Sequence, residues 1–137
     1  MDYKSAGVDI AKGDSIVAKI KAMMGPAGSQ IGHFGGAIPL PNEGYHQPLL
    51  VTSIDSVGTK VMIAVQLGKY DTIGGDIVHH CVNDIACCGA KPLAFLDYLA
   101  MSVLDEDAAT KILKGIIDSC RELNITLAGG ETADGLR

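Results

Sequence analysis

The feature that most constrains the fold is the run PLAFLDYLAMSV at residues 92–103, which is apolar at nearly every position. Successive side chains of a β-strand point to opposite faces, so a strand built from this run presents apolar groups on both sides. Both faces must then be covered. The chain carries too few helices to cover both, so we expect the second face to pack on a second copy of the chain or on a further domain.

Apolar residues that repeat at three- and four-residue steps predict four helices. The first covers residues 14–24, with Asp14 or Ser15 as its cap and Gly25 at its end. The others are a short helix at 59–67, a helix at 71–88, and a long helix that Asp105 caps and Asn124 closes. The helix at 59–67 is apolar nearly all round, so we expect it to be buried.

Three strands are predicted beside these helices, at residues 49–54, at 92–103 and in the short stretch ITLA at 125–128. Residues 25–48 are rich in Gly and Pro and show no helical period, which predicts a long loop with a short strand near Phe34. The resulting order is helix, loop, strand, helix, helix, strand, helix, strand.

Composition excludes several classes of protein. Apolar residues make up 47% of the 137 residues and charged residues 20%, which is typical of a globular domain and not of a disordered chain. The formal net charge of -5, without a basic cluster, argues against nucleic acid or an anionic membrane as the main partner. No signal peptide or membrane span is visible, and the four cysteines lie in helical patterns, which favours reduced thiols and a cytoplasmic protein.

One side of the predicted helix at 71–88 carries short polar groups, namely Asp76, His80, Asn83, Asp84 and Cys87. A solvated helix face is the ordinary explanation of such a stripe. This stripe, however, holds no Lys, Arg or Glu, and the helix leads directly into an apolar strand. Short carboxylates and an amide suit metal or ligand binding. Zinc is disfavoured, because HHC followed by CC lacks the C-x-x-C spacing of zinc sites.

Asp55 ends the apolar run LVTSI and begins the sequence DSVGTK. An ionised carboxylate beside a core strand needs a compensating partner. Mg²⁺ is commonly held by one or two carboxylates together with phosphate oxygens, and Asp55 and Asp84 could supply that pair. The turn at Gly58 and Thr59 would place backbone N–H groups at a helix N-terminus, and Lys60 would add a positive charge facing phosphate. This signal is weak alone, since it is not the standard phosphate-loop motif.

Two further glycine-rich turns are candidates for close contact with a ligand. GHFGG contains Gly35 and Gly36, and AGGE ends in Glu131. Each is equally well explained as a flexible turn.

Taken in order, these segments resemble the successive motifs of the aminoimidazole ribonucleotide synthetase family, the ATP-dependent cyclo-ligases of purine biosynthesis. The motifs are YKSAGVDI, GHFGG, LVTSIDSVGTK, YDTIGGDIV, CVNDI, GAKPLAFLDYLA and AGGETA, and together they cover nearly the whole chain. The resemblance implies an α+β domain in which a mixed β-sheet is flanked by helices and pairs with the sheet of a second subunit in a homodimer.

The resemblance also implies the chemistry. ATP with Mg²⁺ would phosphorylate the amide oxygen of formylglycinamidine ribonucleotide, and a nitrogen of the same molecule would then close the imidazole ring. By motif match, the residues near nucleotide, metal or substrate are Lys21, Asp55, Gly58, Thr59, Lys60, Asp84 and Glu131, with Gly35 and Gly36 in the substrate-side loop. Asp55 and Asp84 would bind the metal, and Lys21, Asp84 and Glu131 would act in catalysis.

The sequence departs from the family in three ways. Ser56 replaces a glycine that is usual beside the aspartate, and HHC replaces a more apolar sequence that is common in the family, although histidine also occurs there. The family also continues past GGETA into a second domain. We therefore expect residues 1–137 to be an N-terminal ATP-binding and dimerisation domain with little turnover alone. The alternative is a stand-alone, non-catalytic module for nucleotide binding or dimerisation.

Overall fold

The computed structural model describes residues 10–30, 38–41 and 44–135. Its elements are α1 (Ile10–Met24), a 3-10 helix (Gly25–Gln30), α2 (Lys60–Leu67), α3 (Ile73–Cys87), β1 (Ala94–Ala100), α4 (Glu106–Glu122) and β2 (Thr126–Ala133). Helices and strands coexist in one packed unit, which confirms the predicted α+β class. Phe34, Gly35 and Gly36 lie outside the described residues, so the predictions for the GHFGG turn are not addressed.

The sheet of the described residues consists of β1 and β2, which pair in parallel from Ala94 opposite Thr126 to Ala100 opposite Ala133. The register shifts between Phe95 and Leu96. Parallel strands need a long crossover, and α4 provides it. The sheet is therefore smaller than the mixed sheet that the family resemblance implied, and its β2 strand runs past the predicted ITLA to include the GGETA motif.

The long helix α4 organises the core. One of its sides is buried along its whole length, at Ala108, Ala109, Ile112, Leu113, Ile116, Ile117, Ser119 and Cys120. This side packs against α1, α3 and β2. The predicted cap is confirmed: Oδ1 of Asp105 accepts hydrogen bonds from the backbone N–H groups of Asp107 and Ala108, at 3.0 and 3.1 Å. Asn124 follows the helix with a positive φ of 53°, as its predicted closing role requires.

Two glycines allow α3 and α4 to approach closely. A Cβ atom on Gly74 would lie 1.9 Å from the carbonyl oxygen of Ile112, and one on Gly115 would lie 3.2 Å from the Cα of Gly74. A side chain larger than hydrogen at Gly74 would therefore push the helices apart. This crossing fixes α3, and with it the polar stripe, relative to the core.

The first helix begins earlier than predicted. Asp14 and Ser15 lie inside α1, which starts at Ile10, so neither residue is the cap. Ser15 instead donates a hydrogen bond of 2.6 Å to the Glu106 carboxylate, which joins α1 to α4. The end of the helix at Met24 agrees with the prediction, because Gly25 follows with a positive φ of 62°.

One predicted strand and one prediction about burial are wrong. Residues 49–54 do not form a strand, and Leu49 and Ile54 are 89% and 96% exposed. Helix α2 forms, and Gly68 ends it in the left-handed conformation, but its buried residue is Ala64. Apolar composition predicts burial only when some other element covers the surface. Among the described residues, no strand pairs with 49–54 and little covers α2.

The strand β1 is covered on one face. Phe95 is buried, and Leu99 packs against the core beneath the helices. On the opposite face, Leu96 and Tyr98 are 67% and 66% exposed. The face of β1 that carries Leu96 and Tyr98 is therefore apolar and uncovered among the described residues, as expected for a strand that requires a second covering layer.

Candidate functional site

Residues 53–60 lie along α3 with the opposite chain direction. The Ser53 hydroxyl donates to Oδ2 of Asp84 at 2.9 Å, at the end of α3 nearest the sheet. At the other end, Nζ of Lys60 lies 2.5 Å from Oδ2 of Asp76. These contacts place DSVGTK beside the polar stripe of α3, as the joint assignment of Asp55 and Asp84 to one metal ion requires.

Asp55 makes the central contact between the two elements. Its Oδ2 lies 2.9 Å from Nε2 of His80, and its Oδ1 accepts the backbone N–H of Ser56 at 2.7 Å. An ionised carboxylate has about four acceptor positions on its two oxygens. Each oxygen of Asp55 therefore retains capacity for another ligand.

The carboxylates of Asp55 and Asp84 both act on the half-buried thiol of Cys81. Burial is the main cause that raises the pKa of Cys81, and the negative charges of Asp55 and Asp84 raise it further. A hydrogen bond with the Asp55 backbone opposes them. The two acids predicted to bind metal thus lie on the same side of α3, near one thiol, and that thiol stays protonated at neutral pH.

A cavity of about 360 Å³ opens beside this contact zone. Its lining residues are Val57, Lys60, Asp76, His79, His80 and Asn83. Oδ2 of Asp76 is a buried oxygen without a hydrogen-bond partner, although the Lys60 ammonium is close enough to form an ion pair with it. Among the described residues, the partner of this oxygen is therefore the Lys60 ammonium, which neutralises its charge, and the oxygen is not open to a further ligand.

The donor set fits a hard cation. Within the described residues, no group of three or more His, Cys, Asp or Glu is arranged to hold a metal ion by itself. Two carboxylates that retain acceptor capacity, Asp55 and Asp84, suit a Mg²⁺ ion that phosphate oxygens help to hold. Nδ1 of His79 donates a hydrogen bond to the carbonyl oxygen of Gly75 at 2.7 Å, which fixes the orientation of this ring.

The turn into α2 has the predicted geometry. Gly58 has a positive φ of 76°, a conformation that glycine adopts without strain. The side chain of the N-cap residue Thr59 makes no capping hydrogen bond. Lys60, the first residue of α2, lines the cavity and adds a positive charge to its wall, whereas Gly58, Thr59, Asp55 and Asp84 are not among the lining residues.

Two other predicted site residues lie elsewhere. Glu131 lines a second cavity of about 220 Å³ between α1 and β2, together with Asp97 of β1. Burial, with a smaller contribution from Glu131, raises the pKa of Asp97 to about 6. Lys21 is exposed in the last turn of α1 and, in the part of the chain described, lines neither cavity. The roles of Lys21 and Glu131 stay predictions.

Several residues that line the first cavity were not assigned a role from the sequence. Asp76, His80 and Asn83 were recognised as part of the polar stripe, but only Asp84 was assigned to a ligand. The signal was the absence of Lys, Arg and Glu from the whole stripe. Sequence alone could not show which of its members face residues 53–60.

Comparison with known proteins agrees with the motif pattern. Residues 43–137 match the family model described as AIR synthase related protein, N-terminal domain. A phosphoribosylformylglycinamidine cyclo-ligase of Desulfatibacillum aliphaticivorans is 47% identical across 98% of this chain and 40% of its own length. The enzyme of the same name from Latilactobacillus sakei is 46% identical across 96% of this chain and 39% of its own length.

The chain therefore spans about 40% of the length of these curated relatives. Across the described residues, we find no helix with the length and apolar character needed to cross a membrane. The family match covers more than half of the chain, and its matched segment contains the contact zone between residues 53–60 and α3. The chain belongs to the family of AIR synthase related proteins and corresponds to the N-terminal domain of that family.

Proposed function

We propose that this chain is the ATP- and Mg²⁺-binding, dimer-forming domain of a cyclo-ligase that converts formylglycinamidine ribonucleotide to aminoimidazole ribonucleotide. The observation that carries the proposal is the pair of contacts, Asp55 with His80 and Asp84 with Ser53, that places both acids between residues 53–60 and α3. Neither acid lines the first cavity, but His80 and Lys60 do. The names of the relatives support the reaction class.

The residues of the contact zone have complementary roles in this proposal. Asp55 and Asp84 hold the metal ion, and Lys60 with the α2 N-terminus neutralises phosphate charge. Bound Mg²⁺ and ATP supply the phosphoryl group that turns the substrate's amide oxygen into a leaving group. Positioning and charge neutralisation are sufficient for such a transfer, so the protein needs no nucleophile of its own.

Four further residues complete the proposal. Lys21 binds the nucleotide and serves in catalysis, Glu131 binds substrate and serves in catalysis, and Gly35 and Gly36 bind substrate. These roles come from the family motifs. They require that the second cavity, beside Glu131, receives the part of the substrate remote from the phosphates.

Calorimetric titration with Mg·ATP tests the nucleotide site. We expect Asp55→Asn and Asp84→Asn each to weaken binding by about tenfold or more, because each removes a charged metal ligand. Asp118→Asn is the matched control, since Asp118 lies on the exposed side of α4 in an ion pair with Lys114. Absence of binding, or binding that does not depend on Mg²⁺, would contradict the proposed site.

We also propose that the chain forms a homodimer through the open face of β1. The exposed apolar groups include Leu96 and Tyr98 on β1, together with most of α2. A second copy packed on these groups would remove them from water.

Light scattering at micromolar concentration tests the dimer. The unsubstituted chain should show twice its monomer mass, and Leu96→Lys should shift it to the monomer, since a charge would be buried in the interface. Lys114→Glu, on the exposed side of α4, is the control and should leave the mass unchanged.

One observation favours a second candidate function. The apolar exposure of β1 and α2 would serve dimerisation even without catalysis, as in a stand-alone nucleotide-binding module. The two candidates separate on product formation. A module binds Mg·ATP and dimerises but releases no phosphate in the presence of formylglycinamidine ribonucleotide. This result should not change when the C-terminal part of a relative is added to the assay.

A further inference from the structure

We propose that His80 is a positioning residue for Asp55: its imidazole holds the Asp55 carboxylate in the orientation that binds the metal ion. This inference rests on the proposed function, in which Asp55 is a metal ligand. It concerns a residue of the polar stripe of α3 to which the sequence analysis gave no role.

The geometry around Asp55 supports this role. Nε2 of His80 and Oδ2 of Asp55 are 2.9 Å apart, and Oδ1 is bound by the backbone N–H of Ser56 at 2.7 Å. One contact on each oxygen fixes both the rotation of the carboxylate and its plane. Neither contact fills its oxygen, because each can accept about two hydrogen bonds or ligands.

The partner acid is held in the same manner from the other direction. Asp84 lies on α3 and accepts a hydrogen bond from Ser53, which belongs to residues 53–60. Asp55 belongs to residues 53–60 and contacts His80 of α3. His80 and Asp84 are four residues apart on α3, so they share one side of the helix. Each acid is thus anchored by a side chain from the opposite element, and both acids lie between α3 and residues 53–60, where both charges act on Cys81.

Among the described residues, loss of His80 would leave the Asp55 carboxylate with the Ser56 backbone contact alone. The Asp55 side chain is 43% exposed, so it would then sample several rotamers, and metal binding would have to order it. Hydrogen-bond partners of metal ligands commonly change metal affinity by about 10–100-fold. The half-exposed setting places the expected effect at the lower limit, about tenfold.

Titration of Mg·ATP into three variants tests the role. His80→Ala should weaken binding by about tenfold, and His80→Gln should restore most of the loss, because its amide N–H can donate in place of the imidazole. His46→Ala is the matched control, since His46 is an exposed histidine outside the cavity lining, and it should bind as the unsubstituted chain does. Affinity of His80→Ala within twofold of the unsubstituted chain, or no recovery in His80→Gln, would overturn the inference.

A metal-free measurement separates this inference from the proposed function. In a double-mutant cycle of His80→Ala and Asp55→Asn in urea unfolding, the two changes should be coupled by about threefold in the unfolding constant, as for exposed ion pairs. Absence of coupling would overturn the His80 contact, even with metal binding intact. If the unsubstituted chain binds no Mg·ATP while the coupling persists, the proposed function fails, and the assignment of His80 to metal binding fails with it.

Discussion

The ammonium of Lys60 lies 2.5 Å from Oδ2 of Asp76. This ion pair joins the first residue of α2 to the first turn of α3. Ala64 is the buried residue of α2, so this ion pair is a main attachment of that helix to the domain. Both side chains are partly exposed, at 54% and 32%. A partly exposed ion pair contributes little to global stability, about 0–1 kcal/mol, but it can control a local opening.

Replacing Lys60 with Gln should therefore loosen α2 without unfolding the domain. We expect the free energy of unfolding to fall by less than about 1 kcal/mol, because the pair is solvated. The amides of α2 should exchange with deuterium several times faster, while those of α4 remain unchanged, which hydrogen-exchange mass spectrometry would show. Faster exchange throughout both helices would mean that the ion pair supports the whole domain instead.

Replacing Gly74 with Ala should be strongly destabilising. The new Cβ would lie 1.9 Å from the Ile112 carbonyl oxygen and 2.5 Å from the Ile116 nitrogen, and backbone atoms cannot rotate away. We expect a loss of about 3 kcal/mol in urea unfolding, at the upper limit for overpacked sites. Gly13→Ala is the control, since Gly13 lies within α1 with no atom near its Cβ position, and it should be neutral or stabilising by up to about 1 kcal/mol. Equal effects of the two changes would contradict the close crossing.

The buried carboxyl of Asp97 should make stability depend on pH. Burial, and to a smaller extent the Glu131 charge, raises its pKa from 3.8 to about 6, so the folded state binds the proton more tightly than the unfolded state does. The free energy of unfolding should then fall as the pH rises from about 4 to about 6, and stay lower above pH 6. The total is about 3 kcal/mol, from a shift of about two pKa units.

Asp97→Asn provides the comparison for this pH dependence, because it keeps the shape of the side chain without the ionisation. The variant should gain stability over the unsubstituted chain as the pH rises from 4 to 7 in urea unfolding. Glu131→Gln should reduce the pH dependence only slightly, since Glu131 is a minor cause of the shift. A constant stability difference between Asp97→Asn and the unsubstituted chain would show that Asp97 titrates normally.

Removing the cap of α4 should destabilise the domain moderately. Asp105→Ala loses the carboxylate that accepts the N–H groups of Asp107 and Ala108. We expect a loss of about 1 kcal/mol and a lower Tm. Asp105→Asn keeps an oxygen that can accept the same hydrogen bonds, so it should retain most of the stability in the same thermal melt. If the asparagine variant melts as early as the alanine variant, the charge and not the hydrogen bonds would be responsible.

Local sequence signals determined most of the helices and their ends. Asp105 and Asn124 delimit α4, and Gly25 and Gly68 end α1 and α2, because capping and positive φ depend on adjacent residues alone. The apolar period of α4 likewise identified its buried side. The family motifs were also readable in order, and the family match agrees with them.

Predictions that depended on distant partners were less successful. Residues 49–54 have the composition of a strand, but a strand requires a neighbour with which to exchange hydrogen bonds, and within the described residues none lies beside them. Helix α2 has the composition of a core helix, but burial requires a covering layer. The composition of a segment shows that it can form a strand or be buried. Whether it does so depends on a neighbouring element that pairs with it or covers it.

The sequence by itself determined the helices, the class of fold, the family and the choice of Asp55 and Asp84 as an acidic pair. Only the tertiary structure decided that residues 53–60 lie along α3, that His80 holds Asp55, and that Glu131 belongs to a separate cavity. The physical reason is range. Capping and periodicity act over a few residues, whereas the contact of His80 with Asp55 depends on how the close crossing at Gly74 and Gly115 fixes α3 in the core.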